Sequence, residues 1–408
     1  MTDYKIWKLK DVTVKIGSGA TPRGGKESYF TAGVPLIRSL NVYDLHFQDA
    51  NLAFINEQQA NDLSNVIVEK DDVLLNITGA SVCRCASVPE YLVPARVNQH
   101  VAIIRADRIN LDGKYLKYLL VSPKYKRVLL GLASTGATRE ALTKGDIENF
   151  EVEIPEIESQ KHISSIISNY DNLIENNEKR IKALEEMAQL LYTEWFIKFH
   201  FPEYTNVKMF DSGKEYGEIP QGWRVVSLKE IADLVMGQSP ISEHYNQSRT
   251  GTPFHQGVAD FGYKYPTDRV YSTHGNKYAD KGDLLFSVRA PVGQMNIANK
   301  RIILGRGLCA IRRKDNRQAL LYSMFNQKFT HKDMIGNGAI YKSVNKTEME
   351  GLKFIKGPTD IEHGFEEIAS KYFDEMEKIT ALNLDLLCMR DLLIPQFITG
   401  KRALRHLL

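Results

Sequence analysis

The strongest constraint on this chain is a change of period. Between residues 158 and 198 neither Gly nor Pro interrupts the sequence. Apolar positions recur there at Ile163, Ile167, Tyr170, Ile174, Ile181, Leu184, Ala188, Leu191 and Trp195, with Asn177 the one polar member. The spacing alternates four and three, the seam of a coiled coil. The residues between, such as Glu175, Lys179, Arg180, Lys182 and Glu186, are charged. At about 1.5 Å per residue this helix would be roughly 60 Å long, more than a compact domain needs. A second stretch near the C-terminus has a comparable seam: Phe365, Ile368, Tyr372, Ile379, Leu382, Leu386, Met389 and Leu393, interrupted at Glu375 with Met376 beside it. Pro395 is expected to end or bend that helix. A long helix with one apolar stripe needs a partner, and the chain supplies one. The spacing predicts two rods packed as an antiparallel coiled coil, with Asn177 setting register as a buried polar seam residue can.

Each rod follows about 150 residues of different grammar. Val73–Ile77, Val101–Ile104, Leu284–Val288 and Leu308–Ile311 read as short strands bounded by turn formers. Lys114–Leu120 and Gln318–Phe325 read as short helices. The two copies also echo one another in order. Trp7-x-Leu9-Lys10-Asp11-Val12 is answered by Trp223 and Leu228-Lys229-Glu230-Ile231, Gly19-Ala-Thr-Pro22 by Gly237-Gln-Ser-Pro240, and Gly33-Val-Pro35 by Gly251-Thr-Pro253. Asp71-Asp72-Val73-Leu74-Leu75 is answered by Lys281-Gly282-Asp283-Leu284-Leu285. The separations drift only from about 218 to about 203, as loop insertions in a duplicated domain would make them. The 408 residues thus divide into twice about 200. The expected fold class is α+β: two similar α/β domains separated by two long helices, related by a pseudo-two-fold axis.

Catalytic signals are missing. Gly19 to Glu27 approaches a phosphate loop but has Ala20 and Glu27 where glycine and a hydroxyl are needed. There is no dinucleotide fingerprint, no H-E-x-x-H, no G-x-S-x-G and no Asn/Asp-Pro-Pro-Tyr/Phe methyltransferase tetrad. His100, His162, His244, His255, His274 and His331 are scattered without metal-ligand spacing. Cys83, Cys85, Cys309 and Cys388 form neither a disulfide framework nor a zinc set, and read as idle thiols of a cytoplasmic protein. No run of apolar residues is long enough for a membrane span, and the first residues lack the apolar core of a signal peptide.

The net charge of +3 hides local concentration. One cluster comprises Arg96, Arg105, Arg108, Lys114, Lys117, Lys124, Lys126, Arg127 and Arg139. The other comprises Arg289, Lys300, Arg301, Arg306, Arg312, Arg313, Lys314, Arg317, Lys328, Lys332 and Lys342. Ser39, Asn41, Tyr43, Asn76, Thr78, Asn98, Gln99, His100 and Thr138 are interleaved with the first. Such groups contact phosphates and read base edges. Two similar polar-loop domains on a fixed spacer suit a reader of two separated DNA half-sites.

In this order of parts the chain resembles the specificity subunits of type I restriction–modification systems over essentially its whole length. The two Trp/Leu openings, the Gly-x-x-Pro turns, and the passage Ser134-Thr135-Gly136-x-Thr138, Leu142, Ile154-Pro155, Gln160-x-x-Ile163 are similar to that family's entries and exits. The second passage, Gly336 to Lys342, Gly357-Pro358 and His363, departs from the pattern. The resemblance implies target-recognition domains at 1–157 and 201–360, with spacer helices at 158–200 and 361–408. It implies a non-catalytic subunit that reads a bipartite double-stranded DNA target. That subunit would position two adenine-N6 methyltransferase subunits and two restriction/translocation subunits, with no membrane association. S-adenosylmethionine, ATP and Mg would then belong to the partners and no cofactor to this chain. The side chains expected at DNA are Arg38, Asn41, Asn76, Thr78, Thr138 and Arg139 in the first domain. In the second they are Gln256, Ser287, Arg289, Asn337, Tyr341 and Lys342. The alternatives are a coiled-coil scaffold for other proteins, or the specificity subunit of a methylation-only complex.

Overall fold

The computed structural model describes residues 4–134, 140–213, 216–330 and 343–401. The chain forms two compact units: Met1–Ile174 with Asp385–Leu408, and Glu175–Leu384.

The first unit runs β1 (Lys5–Lys8), β2 (Thr13–Ser18), β3 (Val34–Ile37), β4 (Val42–Tyr43), β5 (His46–Phe47), β6 (Ala53–Ile55), α1 (Glu57–Asp62), β7 (Ile67–Val68) and β8 (Val73–Asn76). It continues with β9 (Cys85–Ser87), β10 (Ala95–Val97), β11 (Val101–Ala106), α2 (Gly113–Val121), α3 (Pro123–Ser134), α4 (Lys144–Glu148), β12 (Glu151–Ile154) and the start of α5 (Ile157–Tyr192). One sheet has the order β2-β11-β8-β9 and a second β6-β3-β10-β7, with β3 and β10 parallel. The first sheet is covered on both faces. Val73, Leu75, Ala102 and Ile104 join the core that contains α2 and α3, while Leu74, Val101 and Ile103 face the second sheet's core. That is why β8 and β11 read as continuous apolar runs rather than as alternating ones.

The second unit repeats the plan. It holds β13 (Met209–Asp211), β14 (Glu218–Pro220), β15 (Arg224–Ser227), α6 (Leu228–Ile231), β16 (Ala232–Met236), β17 (Tyr245–Asn246), β18 (Thr252–His255), β19 (Tyr271–Ser272) and β20 (Tyr278–Ala279). Then follow β21 (Leu284–Ser287), β22 (Met295–Ile297), β23 (Ile302–Leu304), β24 (Leu308–Arg313), α7 (Gln318–Thr330), α8 (Lys346–Glu350), β25 (Lys353–Lys356) and the start of α9 (Thr359–Ile398). The sheet β16-β24-β21-β22 matches β2-β11-β8-β9, and β18 pairs parallel with β23 as β3 does with β10. Again the inner strands split by side: Leu284, Phe286, Cys309 and Ile311 enter one core, and Leu285, Leu308 and Ala310 the other. The capping boxes recur too. Thr143 caps α4 and Asn345 caps α8, each exchanging bonds with an acid at the third helical position. Replacing Asn345 by Ala is expected to cost about 1 kcal/mol, read as a lower denaturation midpoint at unchanged slope.

Both rods exist, as helices of 36 and 40 residues. They pair antiparallel within each unit. In the second, Asn177 Nδ2 donates to Asn383 Oδ1 at 2.7 Å, and Ile181 packs with Met376 and Ile379. In the first, Asp171 accepts from Arg390 at 2.9 Å, and Ile163 and Ile167 share a core with Leu393, Ile394 and Phe397. Of the seam residues, Ile163, Ile167, Ile174, Asn177, Ile181, Ile379 and Leu393 are buried. Tyr170, Leu184, Leu191, Ile368 and Leu386 are half-buried. Leu382 and Met389 are exposed, against the expectation for the second rod. Its inner stripe passes instead through Met376, Ile379, Asn383, Leu386, Arg390 and Leu393, an unbroken alternation of three and four. Two of these members are polar, so a search for apolar residues slips to the leucine and methionine one position earlier. Pro395 lies inside α9, which runs on to Ile398.

Polar hubs clamp the rods to their domains. Asp171 accepts from Lys117 at 3.1 Å and Tyr118 at 2.6 Å in the first unit. In the second, Glu185 accepts from buried Lys264 and from Tyr322. Burial pulls the Lys264 ammonium below its ordinary range, and the Glu185 carboxylate opposes this.

Candidate nucleic-acid interface

In each unit four loops converge at matching strand ends. In the first, the backbone N–H groups of Gly19 and Ala20, after β2, donate to the carbonyls of Val101 and Val97. Asn98 N–H donates to Ile37, and Ile77 N–H to His100. In the second, Gly237 and Gln238 donate to Leu308 and Leu304, Gly305 to His255, and Val288 to Gly307. The pattern is the same bond for bond. It explains the Gly-x-x-Pro echo: a Cβ on Gly19 would strike the Val97 carbonyl oxygen, and one on Gly237 the Gly305 carbonyl oxygen. Leu142 N–H to Ile77 and Val344 N–H to Val288 close the fourth side.

On this shared frame the two units present different side chains. The first has an open cleft of about 600 Å³ lined by Ser39, Tyr43, Thr78, Arg84, His100 and Glu140, among others. Thr78 Oγ1 lies 2.7 Å from His100 Nδ1, and Gln99 Nε2 lies 3.3 Å from His100 Nε2. Thr21 donates to Gln99 Oε1. The Arg84 guanidinium stacks over Tyr43, 4.7 Å from the ring centre. In the second unit the corresponding places hold Ser239, Gln256, Arg289 and Arg306. Gln256, Arg289 and Arg306 are exposed.

The expected DNA-reading residues divide into three groups. Arg38, Thr78, Gln256 and Arg289 lie on these loops. Arg38 is half-buried, donating to the Asn51 carbonyl and lying over Tyr29. Asn41, Asn76 and Ser287 are buried and bonded to backbone groups of the same loops. Asn41 accepts from Arg38 N–H and donates to the Gln48 carbonyl, and Asn76 donates to the Ser39 and Val42 carbonyls. Ser287 donates to the Pro291 carbonyl and accepts from Gln294 N–H. Side chains so committed are buried and hold the loops in shape. Thr138, Arg139, Asn337, Tyr341 and Lys342 lie outside the described residues.

Many of the cationic side chains in the two clusters are ion-paired within the chain. Arg105 pairs with Asp72 and Glu69, Arg312 with Asp283 and Asp280 at the matching place, and Lys117, Lys124, Lys126, Lys300 and Arg313 are also ion-paired. Arg96 is buried and donates to two carbonyls. By contrast Arg84, Arg289 and Arg306, all at the convergent loops, make no ion pair among the described residues. The sequence reading had missed Arg84 and had not set Arg306 apart from its neighbours. The signal is tertiary, since it consists of having no ion-pair partner among the described residues, and Arg38 on the same loops shares it.

Among the described residues no group of three His, Cys, Asp or Glu side chains could hold a metal. Burial pushes the Cys83 thiol up to about 11 and Cys309 to about 12, so neither is a thiolate at neutral pH. No described helix is long and apolar enough to cross a membrane.

Two α/β units with one loop-built polar face each, braced on paired antiparallel helices, define a duplicated, sequence-reading class of protein. Residues 1–186 and 220–383 match the family model described as the type I restriction modification DNA specificity domain. The chain belongs to that family and is a non-catalytic DNA-specificity subunit of a type I restriction–modification system. It is 28% identical over 367 residues to a Methanocaldococcus jannaschii protein named as the specificity subunit of the type I restriction enzyme MjaX, covering 88% of this chain and 84% of the relative. It is 20% identical to the HindI specificity subunit of Haemophilus influenzae, covering 98% and all of that chain. The crystal structure of a type I system S subunit from M. genitalium superposes with a TM-score of 0.57 at 13% identity, over 97% and 96% of the two chains. That likeness shows the fold.

Proposed function

We propose that the chain reads a bipartite double-stranded DNA target in the cytoplasm, one half-site per recognition domain (1–157 and 201–360). The helical segments 158–200 and 361–408 act as the ruler between them. The observation that carries this reading is the repeated backbone frame with exchanged side chains: one scaffold displaying two recognition surfaces. Arg38, Thr78, Gln256 and Arg289 are the readers among the described residues, and Thr138, Arg139, Asn337, Tyr341 and Lys342 remain assigned with them. Base edges are read by such side chains while Lys and Arg on phosphates supply affinity.

The partners are two modification subunits that methylate adenine N6 with S-adenosylmethionine, and restriction subunits that use ATP and Mg. Exposed apolar pairs support two copies of one partner. Met187 and Leu190 on α5 are 47% and 65% exposed, and Met389 and Leu392, at the same repeat positions on α9, are 50% and 61% exposed. Repeated apolar side chains on helix faces are suited to capture partner helices. Methylome sequencing of strains with and without this gene tests the assignment. Loss of one bipartite N6-methyladenine motif is the expected result, and an unchanged methylome in a strain that expresses the subunits would overturn it.

A further inference from the structure

The two reading faces differ in kind as well as in sequence. Thr78 and Arg289 occupy one position of the repeat: each follows the matching strand, and each forms an isolated bridge, with Ala141 and Ser343 respectively. Gln99 and Arg306 occupy another, one residue before His100 and Gly307, whose carbonyls accept from Ile77 and Val288. In the first unit these places carry hydroxyl and amide groups joined in a row with an imidazole, Thr78–His100–Gln99–Thr21. In the second they carry two exposed arginines, on loops whose backbones are joined by the Val288–Gly307 bond at 2.9 Å. Neighbouring Arg312 and Arg313 are ion-paired, whereas Arg289 and Arg306 make no ion pair among the described residues.

We propose that Arg289 and Arg306 read G·C pairs in the half-site of the second domain. Thr78 and Gln99, at the same repeat positions, make the neutral contacts of the other half-site. Arginine pairs bidentately with guanine O6 and N7, and glutamine with adenine N6 and N7. The backbone just before Arg289 is held by the Val288 bonds to Gly307 and Val344, and Arg289 itself bridges Ser343, so its side chain leaves a fixed base, as discrimination requires. Arg306 likewise follows Gly305 and has its own N–H bonded to Ser239 Oγ at 3.2 Å.

The proposal rests on the bipartite reading above, and the experiment separates the two. The full chain is expressed with its modification subunits, and methylation is mapped for wild type, Arg289→Thr, Arg289→Lys and Thr78→Arg. Wild type is expected to give a bipartite motif with at least one G·C pair in one half. Arg289→Thr is expected to relax one G·C position of that half by about ten- to a hundredfold. The other half should be unchanged, and Arg289→Lys should retain much of the guanine preference. Thr78→Arg is expected to alter the opposite half only. A wild type without any bipartite motif overturns the functional reading itself. A bipartite motif that Arg289→Thr methylates unchanged overturns this inference alone. So does a uniform loss over all sites by a folded, partner-bound variant, since that is the signature of a phosphate contact.

Discussion

Arg313→Ala is expected to destabilise the second unit by about 3–5 kcal/mol, the cost of stranding a buried charge. The Arg313 side chain has no exposure, and it donates to the nearly inaccessible Glu362 and, at 2.8 Å, to Asp315 Oδ1. Truncation leaves the Glu362 carboxylate with Arg317 at 3.3 Å as its salt-bridge partner among the described residues. The first unit shows the alternative solution. Gln160, at the position equivalent to Glu362, is neutral and buried, donating to the carbonyls of Asn110 and Pro155 and accepting from Asp112 N–H. Arg313→Ala combined with Glu362→Gln should therefore recover part of the loss. The second passage into helix departs from the first because an ion pair there replaces an amide brace.

The penalty also depends on pH. Burial pushes the Glu362 carboxyl above its ordinary range even with Arg313 beside it. A carboxyl whose folded value lies above its unfolded one binds a proton more readily when folded. Stability is then gained as pH falls through the folded value toward the ordinary carboxylate range. Losing Arg313 raises the folded value further, so the Arg313→Ala deficit should shrink on acidification. Thermal unfolding of both proteins near pH 5 and pH 8 checks this, and a deficit equal at the two values, or below about 1 kcal/mol, would count against it.

The second large effect concerns the rods. Asn177→Leu removes the donor to Asn383 Oδ1 within a layer where Asn177 is 1% and Asn383 8% exposed. A cost of about 1–3 kcal/mol is expected. Asn177→Leu with Asn383→Leu replaces the pair by an apolar layer and should restore stability to wild type or beyond, as removal of both polar partners often does. The coupling in a double-mutant cycle should be about 1–3 kcal/mol. The double variant should also lose a register constraint, seen as new oligomers by native mass spectrometry. Strict additivity of the two substitutions would sink the idea.

Much of the architecture is legible along the chain because it is local. Helical period, strand runs and the glycines of close approach are written in short spacings, so the rods, the inner strands β8, β11, β21 and β24, and the duplication could be read directly. The register of the second rod could not. Asn383 and Arg390 are seam residues only because Asn177 and Asp171 face them, and polarity hides them from an apolar search.

The candidate site was legible in its loops but not in its side chains. Asn41, Asn76 and Ser287 have suitable chemistry and lie at the right strand ends, yet they are spent on backbone carbonyls and N–H groups. The apparent basic clusters dissolve in the same way, since Arg105 finds Asp72 across 33 residues and Arg313 finds Glu362 across 49. A duplicated α/β chain carrying two long helices follows from the residue pattern alone, because periodicity and turn chemistry are properties of neighbours in the chain. Which polar groups stay free of internal partners is set by long-range packing. That depends on which distant residues come close enough to satisfy them, and among the described residues Arg38, Arg84, Arg289 and Arg306 are cations of the convergent loops that make no ion pair.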